Sequence, residues 1–280
     1  MAFIGSHVSV AGGLWLAIER GEALNCEAIQ IFTKNQLQWR ASPLPLHVCE
    51  RFYRSYRESS IRSIVAHASY LINIAAPDGI WEKSIQALND ELERCEQLGI
   101  DALVLHPGSH RGEGTERGIA RAICALKRVL SETEGQRTKI LLETMSGQGD
   151  ALGATLQELE WLIDGCGAHR RLGICLDTCH LFAAGMELRT VDSYRRLVDT
   201  VERRLGLDRV GCWHLNDSRE PRGSRKDRHG NLGEGELGLV PFSCIVNDIR
   251  WEQTPCLLET PKADDGDLKN LALLRKMRGW

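Results

Sequence analysis

Five histidines and four carboxylates stand where they could hold metal ions together. His67, His106, Glu143, Asp177, His214 and Glu259 lie at the C-terminal ends of six successive short apolar runs, and His180, Asp227 and His229 fall just beyond such ends. Imidazole mixed with carboxylate is the donor set of zinc and other borderline divalent metals, whereas calcium and magnesium sites seldom recruit histidine. Nine donors exceed the needs of one tetrahedral ion. With one bridging carboxylate and waters completing the shells, they suit three. Three divalent ions outweigh four carboxylates and a bound hydroxide by about one positive charge, so the pocket would attract an anionic phosphodiester. Any one of these histidines alone is a weak signal, since a lone His beside an apolar run is usually a satisfied polar residue at a core edge. The joint pattern is informative. Asp227 and His229 are two apart, so in extended backbone they point to the same side and can grip one ion together.

The elements that must position these side chains are eight short apolar runs: Phe3 to His7, Ala28 to Phe32, Ile64 to His67, Ala102 to His106, Ile140 to Glu143, Gly173 to Asp177, Val210 to Leu215 and Cys256 to Glu259. They are rich in Leu and β-branched residues without polar alternation, as parallel strands buried on both faces should be. Segments of helical periodicity lie between most of them, among them Trp81 to Leu98, Thr115 to Glu132, Thr155 to Gly165 and Val191 to Leu205, with Gly99 as a C-terminal stop for the first. Eight strands alternating with helices predict a single (β/α)₈ TIM barrel over residues 1–280, with a doubly wound open sheet as the competitor. In a barrel all C-terminal strand ends share one face, so the nine donors would ring one pocket.

Composition sets the limits. The chain has 280 residues, 42% of them hydrophobic and 26% charged, which excludes a disordered or collagen-like chain. No run approaches the roughly 20 apolar residues of a membrane span. The N-terminus lacks the basic and apolar regions of a secretory signal, so the expected compartment is the cytoplasm. Ten scattered cysteines then read as reduced, mostly buried thiols. A net charge of −3 argues against coating nucleic acid with bulk positive charge and leaves room for a local basic site. Arg219 to His229 is such a segment: Arg219, Arg222, Arg225, Lys226 and Arg228 oppose Glu220 and Asp227, and phosphate contact is the preferred reading over a solvated face. Gly223, Gly230 and Gly233 give it the freedom to close on a duplex.

The remaining histidines and cysteines admit other readings. His47 and His169 sit in polar contexts and read as surface residues, while His7 and His110 are candidates for supporting the donors from behind. Cys175 and Cys179 could form a Cys-x₃-Cys zinc site, but Cys175 should alternate with Leu176 across the sixth strand, and no second cysteine pair has structural-zinc spacing.

Motifs along nearly the whole chain carry a resemblance. They are Gly5-Ser6-His7-Val8-Ser9 with Ala11-Gly12-Gly13, Phe32-Thr33-Lys34-Asn35-Gln36, His67 with Ser69-Tyr70-Leu71-Ile72-Asn73, and Leu105-His106-Pro107-Gly108-Ser109-His110. Further on come Leu142-Glu143-Thr144 with Gly147-Gln148-Gly149, Cys175-Leu176-Asp177-Thr178-Cys179-His180, His214-Leu215-Asn216-Asp217-Ser218, Asp227-Arg228-His229 with Gly233-Glu234-Gly235, and Leu258-Glu259-Thr260. In this order and spacing the chain resembles endonuclease IV, the zinc-dependent apurinic/apyrimidinic endonucleases of base-excision repair.

The resemblance implies a trinuclear zinc centre in a (β/α)₈ barrel; sites of this ligand type also accept manganese or iron. It implies that His67, His106 and Glu143 hold one ion, that Glu143 bridges to a second held by Asp177, His214 and Glu259, and that His180, Asp227 and His229 hold a third. Such ions lower the pKa of a shared water, Glu259 orients that nucleophile for in-line attack on phosphorus, and the third ion stabilises the departing 3′-oxygen. The substrate would be double-stranded DNA containing an abasic site, cut on its 5′ side to leave a 3′-hydroxyl and a 5′-deoxyribose phosphate, with cleaning of blocked 3′ ends as an accompanying activity. Tyr70 and Leu71 match the family's minor-groove wedge, where an apolar side chain replaces lost stacking. Plain packing at the barrel rim is the alternative for that pair. Gln36, Gln38 and Arg228 are further DNA-contact candidates. Two departures stand out: Leu37 occupies a position where the family often carries arginine, and Ala68 follows His67 where a polar residue is expected. A barrel sugar isomerase or epimerase is the rival enzyme class, and a DNA-binding protein with purely structural metals is the rival outside catalysis. The expected protein is a monomer with no membrane association.

Overall fold

The computed structural model describes residues 1–77 and 79–279. In chain order the elements are β1 (Phe3–His7), α1 (Leu16–Ala23), β2 (Ala28–Ile31), α2 (Leu46–Glu58), β3 (Ser63–His67), α3 (Gly79–Leu98), β4 (Ala102–Leu105), α4 (Thr115–Glu132), β5 (Lys139–Glu143), α5 (Leu156–Gly165), β6 (Leu172–Asp177), α6 (Thr178–Ala183), α7 (Val191–Leu205), β7 (Val210–His214), β8 (Asp217–Ser218), β9 (His229–Gly230), α8 (Val240–Asn247), β10 (Pro255–Leu258) and α9 (Gly266–Met277). Eight parallel strands close into a barrel in the order β1-β2-β3-β4-β5-β6-β7-β10, with β10 pairing back to β1. The closed sheet decides for the barrel and against the open, doubly wound alternative.

Period-two alternation sorts the strand residues into two cores. Ile29, Ile64, Leu103, Ile140, Leu142, Ile174, Leu176 and Leu258 point outward into the main core beneath the helices. Ala28, Val65, Val104, Leu141, Cys175, Cys212 and Leu257 point inward and fill the barrel floor. The expected alternation of Cys175 with Leu176 is therefore observed. Helix α4 turns Ile119, Ala122, Leu126 and Val129 to the sheet at three- and four-residue spacing, each fully buried large aliphatic side chain contributing about 1.5–3 kcal/mol.

Local chemistry sets several boundaries. Gly99 takes φ +68° immediately after α3, ending it where the sequence predicts. Thr190 and Ser193 form a reciprocal capping box at the start of α7. The predicted runs are one residue too long in β2, β4, β7 and β10: Phe32, His106, Leu215 and Glu259 lie just past the paired segments. His106 and Glu259 therefore stand at the rim. The β8–β9 ladder, which joins Asp217 to Gly230 and Ser218 to His229, is too short to leave a periodic trace in sequence. Among the described residues no helix is long and apolar enough to cross a membrane.

Gly5 marks the tightest approach in the barrel: a Cβ there would lie 1.6 Å from the carbonyl oxygen of Ala28 on β2. Gly5→Ala is expected to force β1 and β2 apart and cost at least the upper end of the roughly 1–3 kcal/mol typical of overpacking. An unchanged denaturation midpoint would refute this β1–β2 packing.

Candidate metal centre

Each floor residue is followed two positions later by a polar side chain one layer nearer the mouth. Val65 leads to His67, Val104 to His106, Leu141 to Glu143, Cys175 to Asp177, Cys212 to His214 and Leu257 to Glu259. The same step carries Gly5 to His7 and Ala28 to Gln30. The barrel thus builds its donor ring from strand periodicity alone. The first turn of α6 adds His180: Asp177 caps that helix, its Oδ1 accepting from the His180 amide at 2.8 Å, so one carboxylate both joins the ring and fixes where His180 stands. Asp227 and His229 come from the loop ahead of and into β9. The segment after β9 is tied down by the buried Asp217, whose carboxylate accepts from the amides of Gly233, Gly235 and Leu237 at 2.8–3.1 Å.

The donor atoms gather into three groups in which all atoms lie within 4.8 Å of one another: His67 with His106 and Glu143; Glu143 with Asp177, His214 and Glu259; and His180 with Asp227 and His229. Glu143 belongs to two of them. Cys175 and Cys179 do not share a group: Cys175 lies with Cys212 and His214, and Cys179 with Asp177 and His229.

Backbone carbonyls fix most of the imidazoles. Nδ1 of His67 donates to Ala68 O at 2.8 Å, that of His180 to Thr144 O at 2.8 Å, and that of His229 to Glu259 O at 3.1 Å. A carbonyl only accepts, so Nδ1 carries a proton and Nε2 is the nitrogen turned inward, where an ion can take the place of its proton. These Nε2 atoms lie 3.3 Å from Glu143 (His67) and 3.1 Å from the two oxygens of Asp227 (His180 and His229). His214 is turned the other way. Its Nε2 donates to Gln30 Oε1 at 2.9 Å, leaving Nδ1 to face Glu143 at 2.9 Å and Glu259 at 3.2 Å. His106 Nε2 stands 3.1 Å from Glu143. Ala68 costs nothing at this position, because its backbone oxygen, not a side chain, holds His67.

Among the protein groups alone, charge is poorly balanced. Burial would push the Glu143 carboxyl up, but the imidazoles of His214 and His106 outweigh it and hold it well below the usual range. Burial likewise opposes ionisation of Asp227, and the His180 and His229 imidazoles reverse the effect. His229, despite burial that lowers it, is raised to about 9 by Asp227 and Asp177. The carboxylates thus hold protons on the imidazoles, in places that cations could take. His180 Nε2 and His229 Nε2 are buried without a hydrogen-bond partner of good geometry, and the 3.1–3.3 Å spacings match the roughly 3.3 Å edge of a tetrahedron with bonds of about 2.0 Å. These residues fit a cluster of divalent ions.

The other predicted residues divide. His7 packs behind the ring and reaches it through Gln30, whose Nε2 lies 2.9 Å from His7 Nδ1. His110 does not: its Nδ1 accepts from the Gly114 amide at 3.1 Å and its Nε2 faces Asp150 at 3.9 Å, so it serves the turn into α4. Tyr70 is exposed and stands edge-on to Phe32 and His67, at 5.5 and 5.4 Å, over the donor cluster; Leu71 beside it is half-buried. The loop carrying Gln36 and Gln38 is bound to the Tyr70 loop by Ser69 Oγ, which donates to Gln36 O at 2.7 Å. Leu37 and Gln38 project into solvent. In the basic segment Arg222 pairs with Glu187 and Lys226 with Glu220, leaving less free charge than composition implies, while Arg225 and Arg228 are exposed and form no ion pair among the described residues. Sequence reading overlooked Gln30 and Asn216. Asn216 donates to Asp177 at 2.6 Å and accepts from the Glu259 amide at 2.9 Å.

A cleft of about 520 Å³ opens over the cluster, lined by Tyr70, Gln148 and donors from all three groups. Residues 18–277 match the family model described as a xylose isomerase-like TIM barrel, which sets the class of the fold. A probable endonuclease 4 of Chloroflexus aggregans is 46% identical over 280 residues, covering 99% of this chain and 98% of the relative, and one from Trichlorobacter lovleyi is 43% identical over 278, covering 98% of this chain and 99% of the relative. The crystal structure of endonuclease IV from Thermus thermophilus superposes with a TM-score of 0.86 at 36% identity, covering 98% of both chains. A D-tagatose 3-epimerase-like protein at 18% identity and TM-score 0.75 shares the fold. Within the barrel class, the chain belongs to the endonuclease IV family.

Divalent ions relieving this ring should stabilise the fold, by about 2.7 kcal/mol at a free ion concentration 100 times the Kd. Exhaustive chelation is therefore expected to lower the Tm and re-addition of zinc to restore it; a Tm indifferent to both would count against a metal centre here.

Proposed function

We propose that this chain is a zinc-dependent DNA repair endonuclease that hydrolyses the phosphodiester 5′ to an abasic site in duplex DNA, with three ions per chain. The observation that carries this reading is the junction of three donor groups at one barrel mouth, two of them sharing Glu143. His67 and His106 with Glu143, then Glu143 with Asp177, His214 and Glu259, and finally His180 with Asp227 and His229 are the residues that would hold the ions. Zinc bound there would supply Lewis acidity, lowering the pKa of water and offsetting charge on the phosphate.

The chain's own residues do the rest. Glu259, gripped by Gln30 at 2.6 Å and by the Asn216 side chain through its amide, is held rigidly enough to orient an attacking water. Tyr70 and Leu71 present an aromatic and an apolar surface beside the donors, suited to filling a gap in the base stack. Arg228 and Arg225, exposed and without an ion pair among the described residues, offer guanidinium groups to phosphates. All nine donors come from one chain, so a monomer suffices, and cytoplasmic action on DNA is consistent with that.

The sugar isomerase and epimerase reading is supported by likeness of fold alone, and fold does not carry function. The test is a duplex bearing one defined abasic site, incubated with protein before and after metal stripping. Incision that chelation abolishes and zinc restores is the expected result; ketose–aldose interconversion without incision would overturn it. Glu259→Gln should keep binding this duplex while losing incision by at least about 100-fold, and full incision by that variant would reject the role given to Glu259. Leu37→Arg is expected to tighten duplex binding and steepen its salt dependence by about one unit of slope with the rate of incision unchanged; an unaltered slope would mean that this loop does not reach a phosphate.

A further inference from the structure

Gln30 holds the β2 position of the polar ring, where the neighbouring strands contribute histidine or carboxylate. It is fully buried. Its Nε2 lies 2.6 Å from Glu259 Oε1 and 2.9 Å from His7 Nδ1, and its Oε1 lies 2.9 Å from His214 Nε2. The partners dictate which way the amide faces. A carboxylate oxygen at 2.6 Å requires the NH₂ group, and the imidazole nitrogen opposite then finds the carbonyl oxygen and must carry a proton. One neutral side chain therefore sets the tautomers of two histidines. It holds a proton on His214 Nε2, so Nδ1, which faces Glu143 and Glu259, is the nitrogen whose proton an ion can replace, and by donating to His7 Nδ1 it leaves the His7 proton on Nε2.

We propose that Gln30 is a positioning residue for the Asp177/His214/Glu259 group: it selects the His214 tautomer that can bind an ion and fixes the Glu259 carboxylate. The idea rests on the metal-dependent reading above, but its geometric part concerns only this chain's residues. His67, His180 and His229 are held by backbone carbonyls, which mutation cannot remove. His214 relies on a side chain, so it is the imidazole a single substitution can release. A residue with no charge is also what the position calls for. A carboxylate there would repel Glu259, and a cation would compete with the ion the ring is built to hold.

The test uses Gln30→Met, close in volume but without either hydrogen bond, and Gln30→Glu, which keeps an acceptor for His214 and loses the donor to Glu259. Three readouts are taken on the full chain: nitrogen NMR shifts of His214 in the zinc-loaded protein, zinc affinity by competition with a chromophoric chelator, and incision of the abasic duplex. In Gln30→Met the His214 ring is expected to lose its single tautomer, and the weakest-bound zinc to be held about 10–100-fold less tightly, with kcat reduced and KM for DNA little changed. Gln30→Glu should retain the tautomer yet lower kcat. Wild-type tautomer, zinc affinity and kcat in Gln30→Met would overturn the proposal, as would a loss of thermal stability with those three unchanged. Should the wild-type chain bind zinc but fail to nick abasic DNA, the functional reading falls, while the tautomer and affinity shifts still decide the role of Gln30.

Discussion

Metal binding here depends on one constraint: every donor must turn its binding atom inward, and for four of the five imidazoles the barrel enforces this through a hydrogen bond on the far side of the ring. Nδ1 of His67, His180 and His229 is spent on backbone carbonyls, and Nε2 of His214 on Gln30. The closed sheet brings the rings together, but without those bonds each could rotate or exchange tautomers and the donors would be present without being aimed.

The cost of this arrangement is electrostatic. Glu143, Asp177 and His214 are fully buried, and such groups leave water only when paired. Here histidines and carboxylates pair with one another: the imidazoles hold Glu143 low, and the carboxylates hold His214 and His180 high, so protons occupy places that cations could take. A barrel can sustain this arrangement because its main core is apolar and large, and because the segment after β9 is anchored on Asp217, outside the ring. Stability is therefore made below the mouth and function at it.

Much of this was legible in the sequence for a simple reason. The chain places a titratable residue at or just past the end of each of six apolar runs, and a barrel has only one face on which strand ends can meet. Ligand partition came only from the resemblance; the structure itself gives donor atoms gathered in three groups, two of which share Glu143. What escaped notice was chemistry without a titratable signature. Gln30 and Asn216 look like ordinary polar residues, and only the two-residue step from the floor, Ala28 to Gln30, could have placed Gln30 in the ring. His110 misled because proximity to a strand end in sequence says nothing of direction; its ring turns back to the start of α4. The basic segment misled in degree, since Glu187, far away in sequence, takes up Arg222.

That these side chains cage several cations at once can be seen without any assay of activity. Crystals of zinc-loaded protein, measured on either side of the zinc absorption edge, would locate the ions. Anomalous peaks are expected in contact with each of the three donor groups, with Glu143 touching two of them. Crystals grown from a preparation that cuts abasic DNA, yet showing no anomalous density at the barrel mouth, would contradict a metal cage.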